Sequence, residues 1–425
     1  MISFAEGLRF WLKLGFISFG GPAGQIAIMH RVLVDEKKWI DESRFLHALN
    51  FCVLLPGPEA QKLATYAGWL LHGTRGGLAA GILFVLPGAL VMLGLSVLYA
   101  LGRGIPAVEG ALFGIKAAVL VIVVEALVRI GRRALKTRFL VGVAALAFIA
   151  IFFFALPFPL IVVAAGLAGF YSSARTAAPP AVPVPGRWRH AALAIVSGLA
   201  LWWLPVAAAA LVLGGSHVLV DVGLFFSKLA VVSFGGAYAL LAYMAQQAVE
   251  TYHWMSAPEM VDGLGLAETT PGPLILVTQF VGFLAAYRDP APFAPLGAGI
   301  VGAALTTWVT FVPPMMLIFA AAPFVEQLRS NPRLSGALAA ITAAVVGVIL
   351  NLTVWFALHV LFGTVSEMRT GPLRWYAFDP LAIDLQVAAL AALAALLAFR
   401  LHRGLVELVI VMAALGVALR FIFPG

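Results

Sequence analysis

The chain has 425 residues, of which 62% are hydrophobic and only 11% charged, with a net charge of +8; soluble domains carry closer to a quarter charged residues. At about 20 apolar residues per crossing, that content could furnish on the order of 13 membrane spans and leaves little for a water-facing domain. The lone Cys52 excludes a disulfide framework, no histidine pair has metal-ligand spacing, and the basic residues recur between apolar runs rather than forming a nucleic-acid patch. The expectation is therefore an all-α polytopic integral membrane protein without metal, cofactor or nucleic acid.

In chain order, the first apolar segments are about 8–29, 45–71, 77–101, 107–128, 138–155 and 158–171. Met1 to Gly21 lacks a basic n-region and a small-residue cleavage site, so it reads as a retained first segment rather than a signal peptide. The last two segments meet at Pro157-Phe158-Pro159, which suits a tight hairpin. Ser172 to His190, rich in Pro and Ala with Arg175, Arg187 and Arg189, reads as a linker, and the apolar run Ala191 to Leu213 as a connecting transmembrane helix. Six further segments follow at 222–245, 259–286, 297–323, 335–362, 381–400 and 405–423.

The two sets of six are copies. A shift of 215 superposes Phe10–Pro58 on Phe225–Pro273 without a gap, with fifteen of the 49 pairs identical. The shared positions include Lys13 and Lys228, Ser18-Phe19-Gly20-Gly21 and Ser233-Phe234-Gly235-Gly236, Val34 and Val249, Trp39 and Trp254, and Pro56-Gly57-Pro58 and Pro271-Gly272-Pro273. Beyond the extra residues around Arg288–Leu296 the register resumes at 226, where Pro87 meets Pro313. The expected organisation is a first repeat over 1–171, a linker and connecting helix over 172–219, and a second repeat over 220–425. Six crossings plus one unpaired crossing turn the second repeat upside down relative to the first, and the parity survives if the first two segments of each copy re-enter instead of spanning. Placing the Arg129–Arg138 cluster inside puts 14 Lys and Arg on that side against nine outside, which predicts a cytoplasmic N-terminus and a periplasmic C-terminus.

Inverted repeats with broken helices hold substrate at the repeat interface. Gly20-Gly21-Pro22 interrupts an apolar helix, and a proline in the first turn of the half-helix that restarts there forfeits no hydrogen bond. Pro56-Gly57-Pro58 should end one half-helix and begin another, and the second copy repeats both breaks. A half-helix N-terminus carries about half a positive charge and unpaired N–H donors, so four such ends favour an oxyanion. Glycines that merely let helices approach, as in Gly77-x-x-x-Gly81 and Gly110-x-x-x-Gly114, are the structural alternative; recurrence of both breaks in both copies weighs against it.

The ionisable residues inside apolar segments are the next candidates, because burying them is costly. Lys13, Lys62, Lys116 and Lys228 suit a divalent anion, with snorkelling as the alternative for Lys13. Ser18, Gln25 and Ser233 can donate to an oxyanion, alongside Gly20, Gly21, Gly57, Gly235, Gly236 and Gly272 at the breaks. Glu59, Glu125 and Glu268 are candidates for proton or charge coupling, with capping as the alternative for Glu59 and pairing to Lys116 or Arg129 for Glu125. Trp39 and Trp254 read as interface anchors, and His47 and His359 as packed residues.

The ordered set Gly20-Gly21, Val34, Trp39 and Pro56-Gly57-Pro58, present in both copies, resembles the signature of the chromate ion transporter (CHR) superfamily, long-chain two-domain type. The resemblance implies a bacterial or archaeal inner-membrane protein that exports chromate and confers resistance, with sulfate as the isosteric competitor, no enzymatic activity and no cofactor. A homodimer is expected of such a fold. Lys62, Lys116 and Glu59 occur in the first copy only, so the site is not expected to be two-fold symmetric in its charges.

Overall fold

The computed structural model describes residues 2–19, 21–173, 188–234, 237–322 and 332–422. The expected site residues Gly20, Gly235 and Gly236, the linker arginines Arg175 and Arg187, and Arg329 lie outside the described residues.

Helices start where short polar side chains can accept from the orphan amides of the first turn. Ser3 accepts from the Glu6 N–H at 3.2 Å to begin α1 (Phe4–Ile17), Asp41 from Arg44 to begin α3 (Glu42–Leu54), and Thr137 from Leu140 to begin α6 (Arg138–Phe154). Between them lie α2 (Gly21–His30), α4 (Glu59–Leu101) and α5 (Pro106–Ala134), and α7 (Phe158–Ser172) closes the first copy. The connecting helix is α8 (Trp188–Leu213). The second copy runs α9 (Val218–Val231), α10 (Ala237–Gln246), α11 (Ala257–Thr269), α12 (Val277–Arg288), α13 (Pro295–Ala321), α14 (Pro332–Leu361), α15 (Leu385–Ala395) and α16 (Leu405–Ile422). Six of these, α4, α5, α8, α13, α14 and α16, are long and apolar enough to cross a membrane.

Each break falls where the sequence places it. The segment predicted at 8–29 divides into α1 and α2 around Ser18–Phe19, and that at 45–71 into α3 and the start of α4 around Pro56-Gly57-Pro58. In the second copy α9 and α10 flank Ser233-Phe234, while α11 and α12 flank Pro271-Gly272-Pro273. Helix α4 is itself bent sharply at His72 and Gly73, whose dihedrals are non-helical. Its two arms fold back so that Gly68 meets Gly76 and Thr65 meets Gly77 and Gly81. The equivalent close contact in the second copy joins α12 to α13, with Gly282 against Gly302 and Thr306.

One local turn recurs between the copies. A π-helical segment, Arg31–Glu36 or Gln247–Thr251, ends at a residue with positive φ, Lys38 at +51° or His253 at +53°. The next residue donates back to the segment, Trp39 N–H to Leu33 O at 2.7 Å and Trp254 N–H to Ala248 O at 2.9 Å. The shared Val and Trp positions thus belong to one repeated turn. Both tryptophans also pack against aromatics, Trp39 edge-on to Phe10 at 5.6 Å and Trp254 stacked on Tyr252 at 4.4 Å.

Between the apolar segments at 335–362 and 381–400, the only paired strands among the described residues form a hairpin, β1 (Val365–Thr370) and β2 (Leu373–Phe378), antiparallel with Val365 opposite Phe378 and Thr370 opposite Leu373. Gly371, at φ +59°, supplies the turn.

Two compact units result, and each copy contributes to both. The first contains Met1–Gly94, Phe170–Ala237 and Thr270–Leu338; the second contains Leu95–Gly169, Tyr238–Thr269 and Ala339–Gly425. Within the second unit α5 and α16 lie backbone to backbone. A Cβ on Gly114 would strike the Met412 carbonyl and one on Gly416 the Gly110 carbonyl, so here the glycine spacing serves close packing, as the structural alternative held. Gly114→Val should therefore part the two helices at a cost of about 3 kcal/mol or more, seen as a lower melting temperature in detergent, whereas Gly142→Ala, with open space at the Cβ, should melt like the wild type.

Candidate functional site

All four helix breaks lie in the first unit, and the copies complete one another there. The Gly57 N–H of the first copy donates to the Ser233 carbonyl of the second at 2.8 Å, and the Gly272 N–H of the second copy donates to the Ser18 carbonyl of the first, also at 2.8 Å. Since 57 and 272 are repeat partners, as are 18 and 233, each bond is the image of the other. Reciprocal contacts of this kind are produced by a two-fold relation between like parts. The packing obeys the same rule: Gly57 lies against Pro314 of α13, and Gly272 against Gly88 of α4, the residue that pairs with Pro314 at the 226 register.

Gly57 and Gly272, both expected at the substrate site, each spend their amide on a carbonyl of the opposite break. The positive φ of both glycines, +110° at Gly57 and +88° at Gly272, turns those amides across to the other copy. Gln25 reinforces one crossing only. Its amide donates to Gly272 O at 2.7 Å and to Ser18 O at 3.3 Å, while the second copy has Leu240 at the equivalent position.

Several buried polar atoms around the breaks have no hydrogen-bond partner among the described residues: Ser18 Oγ, both amide atoms of Gln61, Gln279 Oε1 and Thr310 Oγ1. Gln61 is fully buried in the first turn of α4, directly after Pro-Gly-Pro. A buried amide without a partner costs about 1–3 kcal/mol, and its two N–H donors beside helix-terminal amides suit an oxyanion. Thr310 lies one turn before Pro314, whose missing N–H also deprives the Thr310 carbonyl of its helical partner. The sequence reading missed Gln61, Gln279 and Thr310 because it searched apolar segments for charge. A neutral polar residue within one or two turns of a Pro-containing break was the available signal.

The charged candidates separate. Lys62 is buried and its ammonium donates to the Leu55 carbonyl at the C-terminal end of α3, a stabilising position for a cation at a helix C-terminus. Lys13 and Lys228, expected to be buried, are exposed on α1 and α9. In the second unit Lys116 is not an open cation but pairs with Asp262 at 3.1 Å. Glu125 pairs with Arg129, not Lys116, at 3.3 Å on a half-exposed face. Glu59 is half-buried in the first turn of α4, Gly21 and Ser233 are buried at their breaks, and Glu268 is buried in the last turn of α11. His47 is exposed and His359 packs on Trp355, its Nδ1 2.8 Å from the Trp355 carbonyl.

A cleft of about 1090 Å³ in the first unit, between α4, α8 and α13, is walled by Leu78, Ile82, Leu90, Leu193 and Trp308. Among the described residues its lining offers no Lys or Arg and is mostly apolar, with His190 and Gln279 among its few polar side chains, so the helix breaks are the better candidate.

The family model for chromate transporters matches this chain over residues 5–170 and again over 220–419. The chain is 33% identical to a chromate transport protein of Pseudomonas aeruginosa over 358 residues, covering 82% of this chain and 80% of that protein. It is 26% identical to a chromate transport protein of Cupriavidus metallidurans, with 82% of each covered. An uncharacterized transporter of Methanocaldococcus jannaschii is 28% identical, with 82% of this chain and 83% of that protein covered. No solved structure matches the chain.

Proposed function

Because the chain belongs to the chromate transporter family, we propose that it exports chromate, a tetrahedral divalent oxyanion, across a bacterial or archaeal inner membrane and thereby confers chromate resistance. The observation that carries this reading is the reciprocal crossing of the four helix breaks, Gly57 to Ser233 and Gly272 to Ser18. Broken helices that meet at a repeat interface are the plan on which secondary transporters build a midplane site. With repeats over 1–171 and 220–425 and α8 as the odd crossing, the two-fold axis lies in the membrane plane. The N-terminus is then cytoplasmic and the C-terminus periplasmic.

In this reading the oxyanion takes its hydrogen bonds from Ser18, Ser233, Gln61, Thr310 and the N-termini of α2 and α10, next in sequence to Gly20-Gly21 and Gly235-Gly236, with Gln25 and the crossed glycines 57 and 272 holding the frame. Lys62 contributes positive charge from beside the break, and Lys13 and Lys228 do so from exposed faces. Chemistry on the substrate is not part of the cycle. Moving one charge through 100 mV is worth about 2.3 kcal/mol, so a dianion leaving an inside-negative cell gains about 4.6 kcal/mol per 100 mV. The membrane potential therefore suffices as driving force, and the carboxyls of Glu59, Glu125 and Glu268 remain the candidates for any added proton coupling. Sulfate has the same charge and shape, which makes it the alternative substrate.

Radiolabelled oxyanion flux in proteoliposomes tests substrate and driving force together. Chromate should move toward the electrically positive side, faster as the imposed potential grows, with sulfate competing weakly. Equal competition by sulfate would assign a general oxyanion carrier, and absence of flux for both anions under either polarity would overturn the proposal.

A further inference from the structure

The second unit contains a charge network around two buried carboxylates, Asp262 and Glu259, that the transport reading leaves unused. Asp262 on α11 is 4% exposed. Its Oδ2 accepts from the Tyr99 hydroxyl at 2.9 Å, while its Oδ1 lies 3.1 Å from the Lys116 ammonium. That contact is not an aligned hydrogen bond, and Oδ1 has no other partner among the described residues. One turn earlier on the same helix, Glu259 is fully engaged, accepting from the Ser256 N–H and hydroxyl at 2.9 Å each and from Arg103. Helix α16, which also packs on α11, holds Glu407 and Arg420, and these pair elsewhere, with Arg403 at 3.2 Å and Glu109 at 3.4 Å. Asp262 is thus the carboxylate of this network with an oxygen left to take a proton.

Lys116 stands ten residues into α5, about 15 Å along its axis from Pro106, so the ion pair is well inside an apolar helix. An ionisable pair at such depth marks ion pathways and proton relays. It also bridges two helices that touch closely, since a Cβ on Gly265 of α11 would strike Ile115 of α5. Helix α11 ends at Thr269, and the chain continues directly into Pro271-Gly272-Pro273.

We propose that Asp262 is a proton-binding site and that the Lys116–Asp262 pair is a proton-released latch on the half-helix leading into the second Pro-Gly-Pro break. As a carboxylate, Asp262 holds α11 to α5 through Lys116. When a proton from water adds to Oδ1 the attraction to the ammonium is lost, Tyr99 keeps its hydrogen bond, and α11 is free to move. No bond between heavy atoms forms or breaks. The latch makes oxyanion flux depend on pH, and in that respect it rests on the function proposed above.

Two measurements separate the latch from that function. In proteoliposomes at fixed potential, wild-type flux should change several-fold as pH falls, and Asp262→Asn, which mimics the protonated form, should run at the low-pH level throughout. Independently of any substrate, the amide protection factors over 257–269, corrected for the intrinsic slowing of exchange at lower pH, should fall as pH falls in the wild type and be already low in Asp262→Asn. Should Asp262→Asn fail to insert, Tyr99→Phe removes one donor to the carboxylate and should move the midpoint of both profiles to higher pH. A wild-type pH profile retained in Asp262→Asn, or in Tyr99→Phe where that variant stands in for it, overturns the latch. Absent oxyanion flux with pH-dependent exchange present would instead overturn the transport reading and leave the latch standing.

Discussion

Gly57→Ala is expected to lower oxyanion flux by more than about tenfold while the protein still inserts. Two costs add at this position. The residue sits at φ +110°, where a side chain is strained by about 1–2 kcal/mol, and the new Cβ would lie 2.5 Å from Pro314 Cγ, an overpacking that costs about 1–3 kcal/mol. Either response, rotation of the peptide or retreat of α13, breaks the bond to Ser233 O and pulls apart the crossing that positions the site. Gly214→Ala is the control. Gly214, away from the breaks, also has positive φ, +93°, but nothing lies within 4 Å of its Cβ, so only the backbone strain applies and the loss should be smaller. Radiolabelled chromate flux normalised to inserted protein measures both, and equal losses would show that the contact with Pro314 carries nothing.

Arg374→Ala should give the largest fall in stability. The guanidinium is 2% exposed and donates to the Ile151 carbonyl at 2.7 Å, the Phe152 carbonyl at 3.1 Å and Glu250 at 3.2 Å, with Glu367 at 3.6 Å. It therefore caps the last turn of α6 and neutralises two carboxylates. Removing one member of a buried pair costs about 3–5 kcal/mol, because its partners stay behind unpaired. Burial already pushes the Glu250 carboxyl above its ordinary range, with Arg374 opposing, and in the variant it should rise further. A carboxyl whose folded-state pKa exceeds its unfolded value weakens the fold at pH above that range. The deficit of Arg374→Ala should accordingly shrink as pH falls through it, by thermal unfolding in detergent. Arg374→Lys, a point charge without the guanidinium fork, should fall between. A variant that melts like the wild type at neutral pH would remove Arg374 from this role.

The architecture was legible because it is written in short-range signals. Apolar runs and Pro-Gly punctuation locate α1 to α16 to within a few residues, and fifteen identities in register reveal the duplication. The site was legible only as a location. Gly57 and Gly272 were rightly singled out, but their amides bond residues 176 and 254 positions from them respectively by serving opposite copies, and no spacing rule within one copy reports that. Lys116 was visible as a cation inside an apolar segment, yet its pairing with Asp262 depends on how α5 and α11 pack. The β-hairpin was hidden for a different reason. Between two apolar segments any charged stretch reads as a loop, although Gly371-Pro372 flanked by Thr, Trp, Tyr and Phe carries a hairpin's composition.

The crossed hydrogen bonds also fix an order of events during synthesis. The Ser18 carbonyl and the Gly57 amide leave the ribosome about 200 residues before Gly272 and Ser233, which at 5–20 residues per second is a delay of roughly 10–40 s. For that interval the newborn first repeat holds unmet backbone groups at positions destined for the bilayer interior, where each costs several kcal/mol unless water or another protein meets it. Lateral release of the first half into lipid is therefore expected only after both halves have been made.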